Sequence, residues 1–250
     1  MLIICIFLCN SCSSKKNILY IQEANELINY TNNFETYQLR VDDIIKIDVG
    51  VEIPESSILL NKDQNTVLNS STKESIVLNG YLIDTEGNIE YPSIGKIYAK
   101  GKTIVELKKH ISLLLKSNKI FNSPTVDIKL LNASFTVLGD VARAGNYDFL
   151  KNNMNILEAI GIAGDLKITG DRKNVKVIRN NDGEKVVHNI DLTNTSFLES
   201  DLYQILPGDI IIVNPNSTEV KRAGIIGNSG TLLSLLSFIL SSIIVISNNN

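Results

Sequence analysis

The residues best suited to acid–base or metal chemistry are two carboxylate pairs and two histidines: Asp42 with Asp43, Asp84 with Glu86, His110 and His188. A glycosidase needs two carboxylates at a defined separation, but both pairs fall at predicted strand ends and turns, where solvated side chains are expected. The histidines are far apart in sequence, and neither has a second metal ligand at a recognised spacing. We therefore predict no catalytic site, no metal and no cofactor.

Glycine-rich and basic segments give no stronger indication of a catalytic or ligand-binding site. Residues 227–230 (GNSG) lack the G-x-S-x-G spacing and the preceding strand of a nucleophile elbow. The glycines between 161 and 170 have no G-x-G-x-x-G register for holding phosphate. Lys167, Arg172 and Lys173 could touch an anionic sugar, although a solvated loop explains them equally well. A net charge of −3 without a basic patch argues against a nucleic-acid partner.

The N-terminal residues are candidates for lipid attachment. Residues 2–9 (LIICIFLC) are apolar, and small residues surround Cys12. This arrangement resembles a bacterial lipoprotein signal peptide over residues 1–11, with Cys12 as the acylated, palmitate-bearing first residue of the mature chain. Ser13 then resembles a residue that directs delivery to the outer membrane. The alternative is a buried N-terminal strand. All three cysteines lie in this segment, so the mature chain would contain no disulfide.

The C-terminal residues predict a second attachment to lipid. Residues 223–246 carry no formal charge, and a helix of these 24 residues would be roughly 36 Å long, enough to cross a hydrocarbon core. Small residues recur at spacings of three and four, which places them on one helical stripe. The stripe is available for helix packing or for lining a lumen: Gly227, Gly230, Ser234, Ser237 and Ser241. The alternative is a buried core helix.

Between these ends the pattern predicts two α+β modules dominated by strands, each with one helix packed across its sheet. We predict a tether over residues 12–35, a first domain over 36–132 and a second domain over 133–215. Capping boxes that begin at Thr103 and Asn155 open the two helices. The N-N-D-G run ending at Gly183 predicts a hairpin in the second domain. Residues 54–74, rich in polar side chains, predict a surface loop.

Four stretches, in this order, resemble the polysaccharide export outer-membrane lipoproteins of the Wza type. They are residues 37–47 (YQLRVDDIIKI), 80–95 (GYLIDTEGNIEYPSIG), 124–128 (PTVDI) and 137–147 (VLGDVARAGNY). The last is similar to the start of a soluble-ligand-binding β-grasp (SLBB) module, and residues 206–209 (LPGD) resemble the start of that module's final strand. Asp42 stands where the family usually has glycine, and Ala144 where it has proline. Both departures fall in turns and should leave the folding intact.

The resemblance implies an export-family α+β domain, one SLBB β-grasp domain and a C-terminal transmembrane helix. It also implies a function: a subunit of an outer-membrane channel, assembled as a homo-oligomeric ring in a Gram-negative bacterium, that exports capsular or exopolysaccharide. The soluble domains would lie in the periplasm and meet an inner-membrane polysaccharide co-polymerase, often a tyrosine kinase. One alternative is an envelope lipoprotein that forms no pore and binds glycan or scaffolds partners through the β-grasp domain. An enzyme acting on polysaccharide is the third possibility.

Overall fold

The computed structural model describes residues 17–22, 34–50, 80–121, 123–149, 151–181, 183–216 and 229–248. The predicted signal segment and the predicted surface loop at 54–74 lie outside these residues. In chain order the elements are β1 (Ile44–Gly50), β2 (Tyr81–Leu82), β3 (Asn88–Tyr91), β4 (Gly95–Tyr98), α1 (Ile104–Ser117), β5 (Thr125–Leu130), β6 (Ser134–Gly139), β7 (Gly145–Asp148), β8 (Met154–Asn155), α2 (Ile156–Ile162), β9 (Gly170–Asn181), β10 (Glu184–Ile190), a 3₁₀ turn (Ser196–Glu199), β11 (Gln204–Ile205), β12 (Ile210–Pro215) and α3 (Ser229–Asn248).

The first module is built around β1, which lies between β2 and β5 in an antiparallel sheet, with β3 and β4 as a separate hairpin. Alternate residues of β1 are buried, because successive side chains of a strand point to opposite faces. They share one hydrophobic core with the buried stripe of α1: Ile45, Ile47, Val49, Leu107, Ile111 and Leu115. The predicted capping box is confirmed, since Thr103 Oγ1 accepts from the Glu106 N–H at 3.2 Å.

The second module is a five-stranded sheet in the order β10-β9-β12-β6-β7. β12 runs parallel to β6, and the other neighbours are antiparallel. One face of this sheet shares a core with α2, and the predicted capping box is again confirmed, as Asn155 Oδ1 accepts from the Glu158 N–H at 2.9 Å. The predicted β9–β10 hairpin is also present. Each module therefore has its own strand-rich core with one helix.

Asp42 lies in the turn before β1 with φ of +70°, the region that glycine adopts without strain. This conformation fits the resemblance, which leads us to expect glycine at this position. Replacing Asp42 by glycine should raise the free energy of unfolding by about 0.5–1 kcal/mol, because relief of strain exceeds the added freedom of the unfolded chain. Urea unfolding would measure this. Asn118, with φ of −79° after α1, is the control: Asn118→Gly should destabilise, and an equal loss in both variants would contradict the prediction.

The predicted transmembrane helix over residues 223–246 is wrong. In the described part of the chain, no helix combines the length and the apolarity needed to cross a bilayer. In the C-terminal helix α3 (Ser229–Asn248), four serines interrupt the residues from Leu233 to Ile246 and lower their apolarity. Their apolar side chains are exposed rather than packed in either core.

Candidate functional site at the junction of the two modules

A cleft of about 850 Å³ lies where the two modules meet. The first module contributes the segment that leads into β1, residues 35–40, and the turn before α1. The second contributes residues from β9, β10 and the segment after the 3₁₀ turn. Most of the lining side chains are polar or charged and carry both signs: Glu35, Tyr37, Arg40, Lys100, Arg179, Asn181, His188, Glu199 and Asp201. Such a surface can make several weak polar contacts with a hydroxyl-rich ligand.

Gln204 joins the two modules with its side chain. Its Oε1 accepts from the Glu35 N–H at 2.6 Å, and its Nε2 donates to the Glu35 carbonyl at 2.9 Å. A single buried amide thus satisfies both backbone groups of one residue, as a neighbouring strand would. The two residues are 169 positions apart, so no local pattern in the sequence could have predicted the contact. Gln204 fixes the start of the first module to the second.

A buried ion pair adjoins this contact through the backbone of Gln204. Arg179 of β9 and Asp209, just before β12, are only 6% and 1% exposed, and Arg179 Nη2 lies 2.8 Å from Asp209 Oδ2. The same guanidinium donates to the Gln204 carbonyl at 2.6 Å, and the carboxylate accepts from the Leu206 N–H at 2.9 Å. The L-P-G-D motif is therefore a turn closed by Asp209, and the ion pair ties it to β9 and β11.

On the other side of the cleft, Asp43 is buried rather than solvated, contrary to the expectation for the Asp42/Asp43 pair. Its Oδ2 accepts from the Arg40 N–H at 2.8 Å and from the Tyr37 hydroxyl at 3.1 Å. Burial raises the pKa of Asp43 above its usual value, more than these hydrogen bonds lower it. Burial also raises the pKa of Tyr37, and the Asp43 charge adds to this effect. The segment entering β1 is thus held by a polar cluster with a neutral phenol.

The raised pKa of Asp43 predicts a pH dependence. Because the folded protein binds this proton more tightly than the unfolded chain, the carboxyl opposes folding above its folded-state pKa, and that penalty disappears as pH falls through it. The wild type should therefore gain stability relative to Asp43→Asn as pH falls from the folded-state pKa toward 3.8, the ordinary value. Urea unfolding of both proteins across this range would measure the difference, and a difference that is flat or of opposite slope would contradict it.

The other residues considered for chemistry are dispersed. His188 lines the cleft, whereas His110 lies on α1, and Asp84 is a turn residue that accepts from the backbone N–H groups of Glu86 and Asn88. Arg172 is buried rather than part of a solvated loop. Across the described ranges, no group of three or more His, Cys, Asp or Glu side chains is placed to hold a metal ion.

The predicted lipid-attachment residue Cys12 and the stripe residue Gly227 lie outside the described residues. The other members of the stripe lie on α3. Ser237 Oγ donates to the Ser234 carbonyl at 2.9 Å, and Ser241 Oγ donates to the Ser237 carbonyl. These hydroxyls therefore satisfy their hydrogen bonds within their own helix, which leaves the stripe compact and weakly polar.

Comparison with known proteins gives matches in the same order as the two modules. Residues 31–131 match the family described as polysaccharide biosynthesis/export protein, and residues 134–188 match the SLBB domain. The chain is 26% identical over 140 residues to the EPS I polysaccharide export outer membrane protein EpsA of Ralstonia solanacearum, covering 54% of this chain and 36% of that protein. It is 28% identical over 106 residues to the protein of the same name from Ralstonia nicotianae, covering 41% and 27%.

The matched region therefore spans about a third of the length of these relatives. The matched family is one of export proteins rather than enzymes, in agreement with placing an enzyme last among the possible functions. The predicted resemblance is confirmed by both domain matches. Residues 31–131 are thus a polysaccharide biosynthesis/export domain and residues 134–188 an SLBB domain, in the order that the resemblance predicted.

Proposed function

We propose that this protein is a subunit of an outer-membrane channel that exports a capsular or exopolysaccharide. One observation carries the proposal: the export domain and the SLBB domain occur in one chain and are joined by buried polar contacts at Gln204. A polymer that slides through a conduit unchanged needs walls that keep their shape and offer only weak polar contacts. The names of the two Ralstonia relatives support polysaccharide as the cargo and the outer membrane as the location.

In this proposal identical subunits form a closed ring, which is the usual way for copies of one chain to surround an opening. Residues 1–11 are removed, Cys12 carries the acyl chain, and residues 12–35 lead to the two domains, 36–132 and 133–215, in the periplasm of a Gram-negative bacterium. The small-residue stripe of α3 packs against a neighbouring subunit. An inner-membrane polysaccharide co-polymerase, often a tyrosine kinase in this family, delivers the polymer.

Gln204→Ala tests whether the junction matters for export. Leaving the two backbone groups of Glu35 without these partners costs about 1–3 kcal/mol, so the modules should still fold while their relative position loosens. In a strain that lacks the natural gene, we expect the variant to restore much less surface polysaccharide than the wild type does. Asn152→Ala, which removes an exposed amide side chain that does not line the cleft, is the control. Equal export from both variants would contradict the proposed role of the junction.

The polar cleft favours a second candidate, an envelope lipoprotein that binds glycan there and forms no pore. Binding of soluble oligosaccharide to a purified protein that remains monomeric, together with unchanged surface polysaccharide in a deletion strain, would support this candidate. The channel proposal predicts the opposite result for the deletion strain, in which polymer should be retained in the periplasm.

A further inference from the structure

We propose that one end of the second module rests on a phospholipid surface. This end is formed by residues 163–169, which connect α2 to β9 and are called the end loop here, together with residues 17–22, called the N-terminal strap. The inference rests on the proposed function in one respect, since it takes Cys12 as the acylated residue.

The N-terminal strap is attached to the end loop by a side chain. The Tyr20 hydroxyl donates to Asp165 Oδ1 at 2.5 Å, and the Tyr20 ring covers the Arg172 guanidinium, with Cζ 5.0 Å from the ring centroid. Arg172 is 5% exposed, and its N–H groups donate to backbone carbonyls of the end loop and of the start of β9. It donates to the carbonyls of Leu166 and Lys167 at 3.2 and 3.1 Å. Tyr20 therefore packs on the arginine side chain whose hydrogen bonds stabilise the end loop.

The backbone of the N-terminal strap is attached as well. The Ile21 N–H donates to the Leu192 carbonyl at 3.1 Å, and the Gln22 N–H donates to the Thr193 carbonyl at 2.8 Å. Ile21 also packs against the core of the second module and has φ of +46°, a conformation that a β-branched residue adopts only where its surroundings impose it. Before it reaches the first module, the chain is thus fixed to the second.

The chain also leaves the second module at the end loop. The Asn216 N–H, just after β12, donates to the Thr169 carbonyl at 2.7 Å. The segment leading from the acyl site and the segment leading to α3 therefore meet the module at the same place. Cys12 and Asn17 are five positions apart in the sequence and can lie at most roughly 18 Å from each other. An acyl chain on Cys12 would hold this end of the second module close to the lipid.

The exposed side chains at this end suit a lipid surface. Ile168, at the tip of the end loop, is 70% exposed, and Leu19 of the N-terminal strap is 43% exposed. Lys167 and Lys173 are exposed beside them, and lysines can bury their stems while the ammonium stays in water among the headgroups. Asp140 lies 3.7 Å from Lys167, and Asp171 accepts from the Lys173 N–H. The charges of Lys167 and Lys173 are therefore balanced by nearby carboxylates, and the apolar side chains Ile168 and Leu19 are the groups expected to enter the lipid.

A fluorophore at position 168 tests this inference. The only cysteines are residues 5, 9 and 12, which are removed or acylated in the processed chain, so Ile168→Cys would provide its one free thiol. The acylated full-length chain, labelled with an environment-sensitive dye and reconstituted in phosphatidylethanolamine–phosphatidylglycerol vesicles, should show blue-shifted emission and quenching by lipid-borne nitroxides. Leu113→Cys, at a residue 65% exposed on α1 of the first module, is the control and should show neither effect.

A label at position 168 that stays in water, or labels at 168 and 113 that are quenched equally, would overturn the inference. Tyr20→Ala provides a second measurement, because loss of its ring and hydroxyl frees the strap. We expect reduced quenching at 168 while the protein still co-sediments with vesicles through its acyl chain; unchanged quenching would count against the strap.

Mass spectrometry of the N-terminal peptide separates the two proposals. An acylated protein with a water-exposed label refutes this inference alone, whereas a chain without acylation refutes the lipoprotein part of the proposed function.

Discussion

Gly139→Ala should reduce the free energy of unfolding by about 4 kcal/mol, from left-handed backbone strain together with overpacking. Gly139 ends β6 with φ of +92°, and a Cβ atom there would lie 2.0 Å from the carbonyl oxygen of Val213. That carbonyl accepts from the Asp140 N–H at 2.8 Å, so β6 cannot move away without breaking a bond of the sheet. The glycine of the V-x-G motif is thus required by the close parallel approach of β6 to β12.

Gly183 provides a matched control for this experiment. It lies in the β9–β10 hairpin with φ of +96°, but a Cβ atom there would meet nothing within 4 Å. Gly183→Ala should therefore lower the free energy of unfolding only by the cost of the backbone strain, about 1–2 kcal/mol. Urea unfolding of the two variants beside the wild type separates the effects. Equal losses at the two positions would mean that the contact with Val213 contributes nothing.

Breaking the Arg179–Asp209 pair from either side should cost about 3–5 kcal/mol, because each single change leaves the other charge buried without its partner. Both side chains are nearly inaccessible to solvent, and together they bond the backbone of β11 and of the turn before β12. Arg179→Met and Asp209→Asn are suitable changes. Methionine fills much of the arginine volume, and asparagine keeps an acceptor for the Leu206 N–H.

The double variant identifies the cause. If the losses come from unpaired charge, Arg179→Met with Asp209→Asn should be less destabilised than the sum of the single variants by roughly 1–3 kcal/mol. Lys96 is the control, because it pairs with Glu86 at 3.3 Å while both side chains are about two-thirds exposed; Lys96→Met should cost less than about 1 kcal/mol. Strict additivity in the double variant would show that the ion pair is not the source of the loss.

Local features of the fold could be predicted from the sequence because their signals lie within a few residues of each other. The capping boxes at Thr103 and Asn155 need only a side chain and a glutamate three positions later, and both are present. The β9–β10 hairpin follows from its turn residues in the same way. The motifs of the related family added the order of the two modules, which local patterns alone do not give.

The junction was not predictable, because it depends on contacts between distant parts of the chain. Gln204 meets Glu35 across 169 positions, and Tyr20 meets Asp165 across 145. A buried glutamine and an exposed one look alike in a sequence. The transmembrane helix was predicted wrongly because the absence of charge over 223–246 was given more weight than the serines, which lower the apolarity of α3.

Electron microscopy of the purified, acylated protein in detergent tests the central claim most directly. A channel subunit should form closed rings of uniform size with a central opening, since copies of one chain must surround the path of the polysaccharide. We expect such rings to be the main species at concentrations where the protein is folded and lipidated. A population of separate, folded monomers under the same conditions would contradict the channel and leave the glycan-binding lipoprotein as the better account.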